Sequence, residues 1–334
     1  MSSDFQFSII IIARRINDYI HDAMPFIQAQ TCRSFEILIV SEAEETERFA
    51  NTRVITSGRA SPAKARNIGA REARGEILAF IDDDAYPEKD WLEKAFHDFE
   101  DKTVGAVGGP SLVPPGATFF QKVSNKVFEL SSGKTGHRYG RGRKAEIDDW
   151  PTCNFFVRKT LFDQMNGFDD QYWGGEDTRF CYALVGAGAK IIYDPDVMVY
   201  HHPRKTLKQH MRQTYFWGLW RGFMIKYLEQ SRQWVFLAPP LFVVWLLGGG
   251  IASCFWATFR SLYVVSLLAY GLYLLMLGFR SKNVRLVIPV AGVMALSHLA
   301  YGIAFLHGLA SRKAPTQKTL NPGSPVSEKS VARQ

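Results

Sequence analysis

Gly75-Glu76-Ile77-Leu78-Ala79-Phe80-Ile81-Asp82-Asp83-Asp84 joins a short apolar run directly to three consecutive carboxylates. The run has the length and bounds of a buried strand, with Gly75 before it and polar residues after. Strands of open α/β sheets present ligands at their carboxyl ends, so the acids fall where a binding crevice forms. Three adjacent carboxylates repel one another unless a cation or a proton relieves them. Oxygen donors on a short turn suit Mg²⁺ or Mn²⁺, ions that bind nucleotide phosphates through one or two protein carboxylates. The plainer alternative is a polar loop in which one Asp caps the next helix.

Outward from this stretch, strand and helix patterns alternate. Apolar runs at 7–13, 35–40, 53–56, 77–81 and 104–107 read as strands, and 17–31, 62–74 and 88–100 as helices. That alternation is the signature of βαβ units and a mostly parallel sheet, so the predicted fold class is α/β. Ser61-Pro62 forms an N-cap and N1 pair, and Gly75 is expected to end the same helix as its C′ residue. The alternation breaks between Gly108 and Gly116. Residues 131–149, rich in Gly, Ser and basic groups, read as a mobile loop. Strand and helix signals return at 152–158 and 177–187.

The 334 residues suffice for one α/β domain plus an appendage, and their net charge of +8 suits nucleic acid or an anionic membrane. No nucleic-acid-binding pattern is present, whereas the apolar residues crowd into the last third. Segments 235–259 and 261–279 carry no charge, and 286–310 carries only His298 and His307. Each is long enough to cross a bilayer as a helix, giving about three spans. Arg260 is expected at a tight turn between the first two. Arg280, Lys282 and Arg285 favour a cytosolic loop between the second and third, which keeps the N-terminal part inside. A third crossing leaves Arg312, Lys313 and Lys318 outside, against the same rule. Before the spans, 206–230 combines Phe216, Trp220, Phe223 and Tyr227 with Arg212, Arg221 and Lys226. This reads as an amphipathic helix in the headgroup layer or packed on the soluble domain, or both on opposite faces. The expected organisation is 1–205 catalytic, 206–233 juxtamembrane, 234–310 membrane helices and 311–334 a disordered tail. Four cysteines without C-x-x-C spacing, and no basic and apolar leader before Phe7, fit a reduced cytosolic setting.

A second acidic pair lies at Gly174-Gly175-Glu176-Asp177, where the acids also read simply as favourable charges at a helix N-terminus. Together with the Asp triplet it belongs to an ordered set: Asn17-Asp18-Tyr19, Gln30-Thr31, Phe35 to Val40, Pro62-Ala63-Lys64-Ala65-Arg66-Asn67-Ile68-Gly69, Gly75 to Asp84, Asn154-Phe155, Gly167-Phe168-Asp169 and the Gly-Gly-Glu-Asp run. Over about residues 5–205 this set resembles family 2 glycosyltransferases, which have the GT-A fold. The resemblance implies Asp177 as catalytic base with Glu176 beside it, and Asp84 with Asp82 as metal ligands for Mn²⁺ or Mg²⁺. It implies nucleotide-sugar contacts from Glu42, Lys64, Arg66, Asn67, Asp82, Asp83, Asn154 and Trp173. His202 is a candidate further metal ligand, with a pair of interfacial histidines as the alternative; for Lys64 and Arg66 the alternative is a surface salt bridge. The chain departs from the family where Ser41-Glu42 replaces the usual Asp after the second strand, and where Ile12-Ala13-Arg14-Arg15 ends the first.

The expected function is inverting, metal-dependent transfer of a sugar from a UDP-, GDP- or dTDP-linked donor to a lipid-linked, polyprenyl-type or glycan acceptor. The expected site of action is the cytosolic face of the cell membrane, in a multi-pass protein of unspecified oligomeric state. A processive polysaccharide synthase is the first alternative, but Gln213-Thr214-Tyr215-Phe216-Trp217 lacks the Arg of the Gln-x-x-Arg-Trp motif. An inactive sugar-binding scaffold on the membrane is the second. A nucleotidyltransferase would want a Gly-rich phosphate loop that Arg14-Arg15-Ile16 does not offer.

Overall fold

The computed structural model describes residues 5–131, 137–171, 173–228 and 232–315. Strand β1 (Phe5–Ala13) is almost wholly apolar because both of its faces are covered. Phe7, Ile9 and Ile11 enter one core with α1 (Asp18–Gln28) and α3 (Trp91–Phe99), while Ile10 enters the other with α2 (Pro62–Glu72) and α6 (Glu176–Gly186). β1 pairs in parallel with β2 (Phe35–Ser41) on one side and β4 (Gly75–Asp82) on the other, and β3 (Thr52–Thr56) extends the β2 edge. Beyond β4 come β9 (Asn154–Arg158), β6 (Val104–Gly108), β10 (Lys190–Tyr193) and β8 (Ala145–Ile147), with β9 and β8 antiparallel to their neighbours. The order β3-β2-β1-β4-β9-β6-β10-β8 reverses direction at β1 and β4, where Ile12 lies opposite Asp82. That switch point is where open α/β sheets form their crevice. A small second sheet, β5 (Ala85–Pro87), β11 (Val199–His201) and β7 (Ser111–Leu112), stands beside it.

The five predicted strands and three predicted helices of the first half are present, with some local differences. Ser61 Oγ accepts from Lys64 N (3.2 Å) and Pro62 opens α2, but Gly75 does not close that helix. It begins β4, where a Cβ would lie 2.5 Å from the Phe7 carbonyl carbon, so glycine is needed for strand approach rather than for a cap. Within the expected loop, 132–136 lie outside the described residues, yet Ala145–Ile147 forms β8 and Arg138 pairs with Asp149 at 3.0 Å.

Past the second sheet, α7 (Leu207–Met224) starts on a reciprocal cap: Thr206 Oγ1 accepts from Gln209 N (3.3 Å) and Gln209 Oε1 from Thr206 N (3.2 Å). Three helices are long and apolar enough to cross a membrane: α8 (Trp234–Phe255), α9 (Ala257–Phe279) and α10 (Val284–Ala310). The break between the first two falls at Trp256, so Arg260 lies in the first turn of α9 rather than at the bend. Most of the expected tail, 316–334, lies outside the described residues. The aromatic helix α7 packs along α10 through glycines. A Cβ on Gly218 would sit 2.5 Å from the Tyr301 carbonyl oxygen, and one on Gly222 would overlap that of Phe305. The obstruction is backbone and cannot swing aside. Gly222→Leu should therefore cost about 3 kcal/mol or more. Gly271→Ala in α9, where nothing lies within 4 Å, should be neutral or slightly stabilising. Unfolding of the detergent-solubilised chain measures both.

Candidate active site

β4 delivers Asp82 to the crevice, and Asp83-Asp84 turn the chain into β5. β11 runs antiparallel to β5 with His201 opposite Ala85, which brings a histidine back over the turn. One donor atom from each of Asp82, Asp84 and His201 lies within 4.8 Å of the others, and His201 Nε2 is 3.0 Å from Asp84 Oδ1. His202 follows the end of β11, its N donates to Asp84 O (3.0 Å), and its ring turns to Tyr19 and Tyr86. Its ring packs on Tyr19 at 4.9 Å, and His201 replaces the expected His202 beside the acids. Arg204 Nη1 approaches the other Asp84 oxygen at 3.4 Å. Burial opposes the Asp84 charge, but His201 and Arg204 outweigh it and hold the carboxyl at about 2. Asp83 goes the other way. Burial and the Asp84 charge push it up to about 6, although it accepts from Asn17 Nδ2 at 2.6 Å. Two oxygens and an imidazole nitrogen at one crevice form a donor set that fits a divalent cation.

The second acidic pair opens α6. Gly175 holds the N-cap position with φ 77°, a conformation glycine adopts without strain. Glu176 is buried, and its Oε1 accepts from Arg66 Nη1 at 2.9 Å. The same guanidinium reaches Asp82 Oδ1 through Nη2 at 3.2 Å. One buried arginine thus joins the two acidic clusters, which are far apart in sequence, into a single site. Asp177, next along α6, has Oδ1 2.8 Å from Thr178 N. Burial, then the Glu176 and Asp149 carboxylates, push its carboxyl up to about 7, against the pull of Arg138.

The model for glycosyl transferase family 2 matches residues 8–165. The chain carries a family 2 glycosyltransferase domain. A pre-mycofactocin glycosyltransferase of Mycobacterium tuberculosis (H37Rv) is 28% identical over 162 residues, 47% of this chain and 33% of that protein. A dolichyl N-acetyl-α-D-glucosaminyl phosphate 3-β-D-2,3-diacetamido-2,3-dideoxy-β-D-glucuronosyltransferase of Methanococcus voltae is 21% identical, covering 62% of this chain and 65% of that one. The chain thus spans from a third to just under two thirds of the length of these relatives. Among solved structures, a mannosyltransferase of Pyrobaculum calidifontis in complex with GDP-Man and Mn²⁺ superposes with a TM-score of 0.64 at 19% identity, over 93% of this chain and 89% of that one. The fold is GT-A.

Within this glycosyltransferase domain the remaining expected residues divide between the crevice and the interior. Lys64 is exposed on α2, and Glu42 is half-buried just past the end of β2. Asn154 is wholly buried: its Oδ1 accepts from Trp91 Nε1 (2.9 Å) and its Nδ2 donates to the Pro110 and Val197 carbonyls. Asn67 is also buried and tied to Phe168, donating to its O (2.7 Å) and accepting from its N (2.9 Å). Both asparagines, expected at the nucleotide sugar, are instead spent on loop architecture around it. Arg66 is engaged by Asp82 and Glu176 and does not stand open as a phosphate ligand. Trp173 leans on Trp220, Phe223 and Met224 of α7, which shapes the turn before Glu176. Sequence reasoning passed over His201, Arg204, Arg138 and Asp149. The strand signal through Val199-Tyr200-His201 marks the histidine pair but not its parity, and the others depend on tertiary contacts alone. Arg66→Met should strand the buried Glu176 carboxylate and cost about 3–5 kcal/mol in chemical unfolding of the full chain. Arg66→Lys should recover only part of that, because a lysine cannot fork between two carboxylates.

Proposed function

We propose that this domain transfers a glycosyl group from a nucleotide sugar to a lipid-linked acceptor, inverting the anomeric centre. The observation that carries the reading is the Arg66 bridge, which links Asp82 of the Asp82/Asp84/His201 cluster to Glu176 beside Asp177. Asp82, Asp84 and His201 would hold Mn²⁺ or Mg²⁺, and the imidazole donor tilts the choice toward Mn²⁺ because Mg²⁺ keeps to oxygen ligands. When bound, the ion neutralises charge that develops on the departing diphosphate.

The chain's own residues supply the rest. Asp177 takes the proton of the acceptor hydroxyl as that oxygen attacks C1 from the face opposite the diphosphate. The bond from C1 to the leaving oxygen breaks, and the nucleoside diphosphate departs with the bonding electrons. A carboxyl held near 7 is a base strong enough to share that proton and still ionised often enough to act at neutral pH. Glu176 is occupied by Arg66, so its role is to fix the start of α6 and keep Asp177 aimed. Trp173 offers a partly exposed aromatic face at the acceptor end. Three long apolar helices and the dolichyl-phosphate substrates named for relatives support a lipid-linked acceptor. The basic loop at Arg280, Lys282 and Arg285 supports action at the cytosolic face.

Asp177→Asn should abolish transfer while donor binding persists, since it removes the base and little else; sustained turnover excludes Asp177 from that role. Because Asp177 must be ionised to accept a proton, kcat should climb as pH rises through about 7 and then level. Asp149→Asn removes a repulsive carboxylate and should move that limb down by about one pH unit. Asp84→Ala and His201→Ala should each weaken Mn²⁺-dependent binding of UDP, GDP or dTDP, read by titration with and without the metal.

A further inference from the structure

By length and composition α10 qualifies as a third crossing, yet its contacts run along helices that belong to the catalytic side. Its first turns meet α4 (Phe119–Ser131) and the end of α9, with Val123 and Val127 packed among Leu277, Leu286, Val290 and Met294. Midway, Ser297 Oγ lies 3.0 Å from His210 Nε2 of α7. From there to its end α10 follows α7 in step: Tyr301 beside Gly218, Phe305 beside Gly222, and Gly308 against Leu219 and Phe223.

The contacts of Gly302, His298 and Val287 with the apolar hairpin α8–α9 fall in the half of it away from Trp256. Gly302 meets Pro239 and Val243 near the start of α8, His298 Nδ1 is 2.8 Å from Tyr270 OH, and Gly278 meets Val287 near the end of α9. The other end of the hairpin pairs with itself, through Trp245 with Phe259 and Tyr263. A third helix crossing beside the first two would bring residue 308 level with Trp256; instead Gly308 packs against Leu219 of α7.

The last described residues return toward the catalytic domain. Lys226 Nζ donates to Gly308 O (3.3 Å) and to Ser311 O (2.5 Å), and Ala314 joins Trp173, Trp220 and Phe223 in one apolar cluster. Helix α7 carries Lys208, Arg212 and Arg221 and follows β11 after the short segment 202–206, so it cannot accompany α10 into hydrocarbon. We propose that α10 lies along the membrane surface on the catalytic side, and that among the described residues only α8 and α9 cross.

The partner this fits is the lipid of that leaflet. Val284 (81% exposed), Ile288 (74%), Leu296 and Ile303 form one outward stripe with the bare Gly292, while the opposite face is covered by α4 and α7. An apolar stripe continuous with a crossing hairpin is seated at the acyl boundary. The arrangement also places Arg312 and Lys313 with Arg280, Lys282 and Arg285 on the inner side, removing the charge conflict that a third crossing creates. The inference stands on helix contacts and does not depend on sugar transfer.

The test uses the full chain with Cys254→Ser, carrying either Arg260→Cys or Ser311→Cys, in intact cells and in inverted vesicles. A membrane-impermeant maleimide should label the two reporters from opposite faces, with Ser311→Cys labelled only where the catalytic domain is exposed. A C-terminal epitope digested by protease in inverted vesicles alone gives a second reading that needs no substitution. Residues 260 and 311 labelled from the same face, or the epitope digested on intact cells, overturns the proposal.

Discussion

The site depends on one guanidinium held away from water between two carboxylates. Arg66 rises from α2, whose start is fixed by the Ser61 cap, and forks to Asp82 at the end of β4 and Glu176 at the start of α6. Removing Arg66 and Glu176 from water, with Asp82 partly exposed, is costly, and their attraction repays that only where geometry is good and the remaining hydrogen-bonding positions are used. The return lies in position: β4 and α6 belong to different parts of the chain, and this contact fixes the distance between their acids. Repulsion within the Asp triplet is relieved in the same manner, by Arg66 on Asp82, Asn17 on Asp83, and His201 with Arg204 on Asp84. Each carboxylate has a separate partner; His201 and Arg204 hold Asp84 low, whereas burial pushes Asp83 up.

A second constraint comes from the membrane side. Gly174 is packed under Phe216 and Trp220, and Gly175 under Met224, so the turn that launches α6 is moulded on α7. Helix α7 is in turn bound to α10 by backbone-close glycine contacts and by the His210–Ser297 pair. His210 is wholly buried, stacked on Phe128 and hydrogen-bonded to Ser124 Oγ as well, which ties α4, α7 and α10 together at one imidazole. Burial holds that ring down at about 4, so it stays neutral and acts as a bridge.

Much of the fold was legible because a sheet covered on both faces leaves continuous apolar strands, and Ile9-Ile10-Ile11 or Ile37-Leu38-Ile39 cannot be read otherwise. The Asp triplet was legible for the complementary reason: polar residues that abruptly end a buried strand must have somewhere to go. What sequence could not settle was parity and contact. Choosing between His201 and His202 requires knowing where β11 begins, and the pairing of His201 with Ala85 decides it. Asn67 and Asn154 have the residue type of ligand contacts, but backbone groups left over by nearby turns claim them first. The third apolar segment is indistinguishable from a span by composition, because hydropathy records what a helix is made of and not what it leans on.

The α7 packing bears on how the protein can be divided. A fragment ending at residue 205 would retain the carboxylates Asp82, Asp84, Glu176 and Asp177 and still lose the wall behind Gly174 and Gly175, leaving the start of α6 without its backing. Such a fragment would keep its acids without an anvil behind them, and in this sense the C-terminal helices are part of the tool as much as its handle.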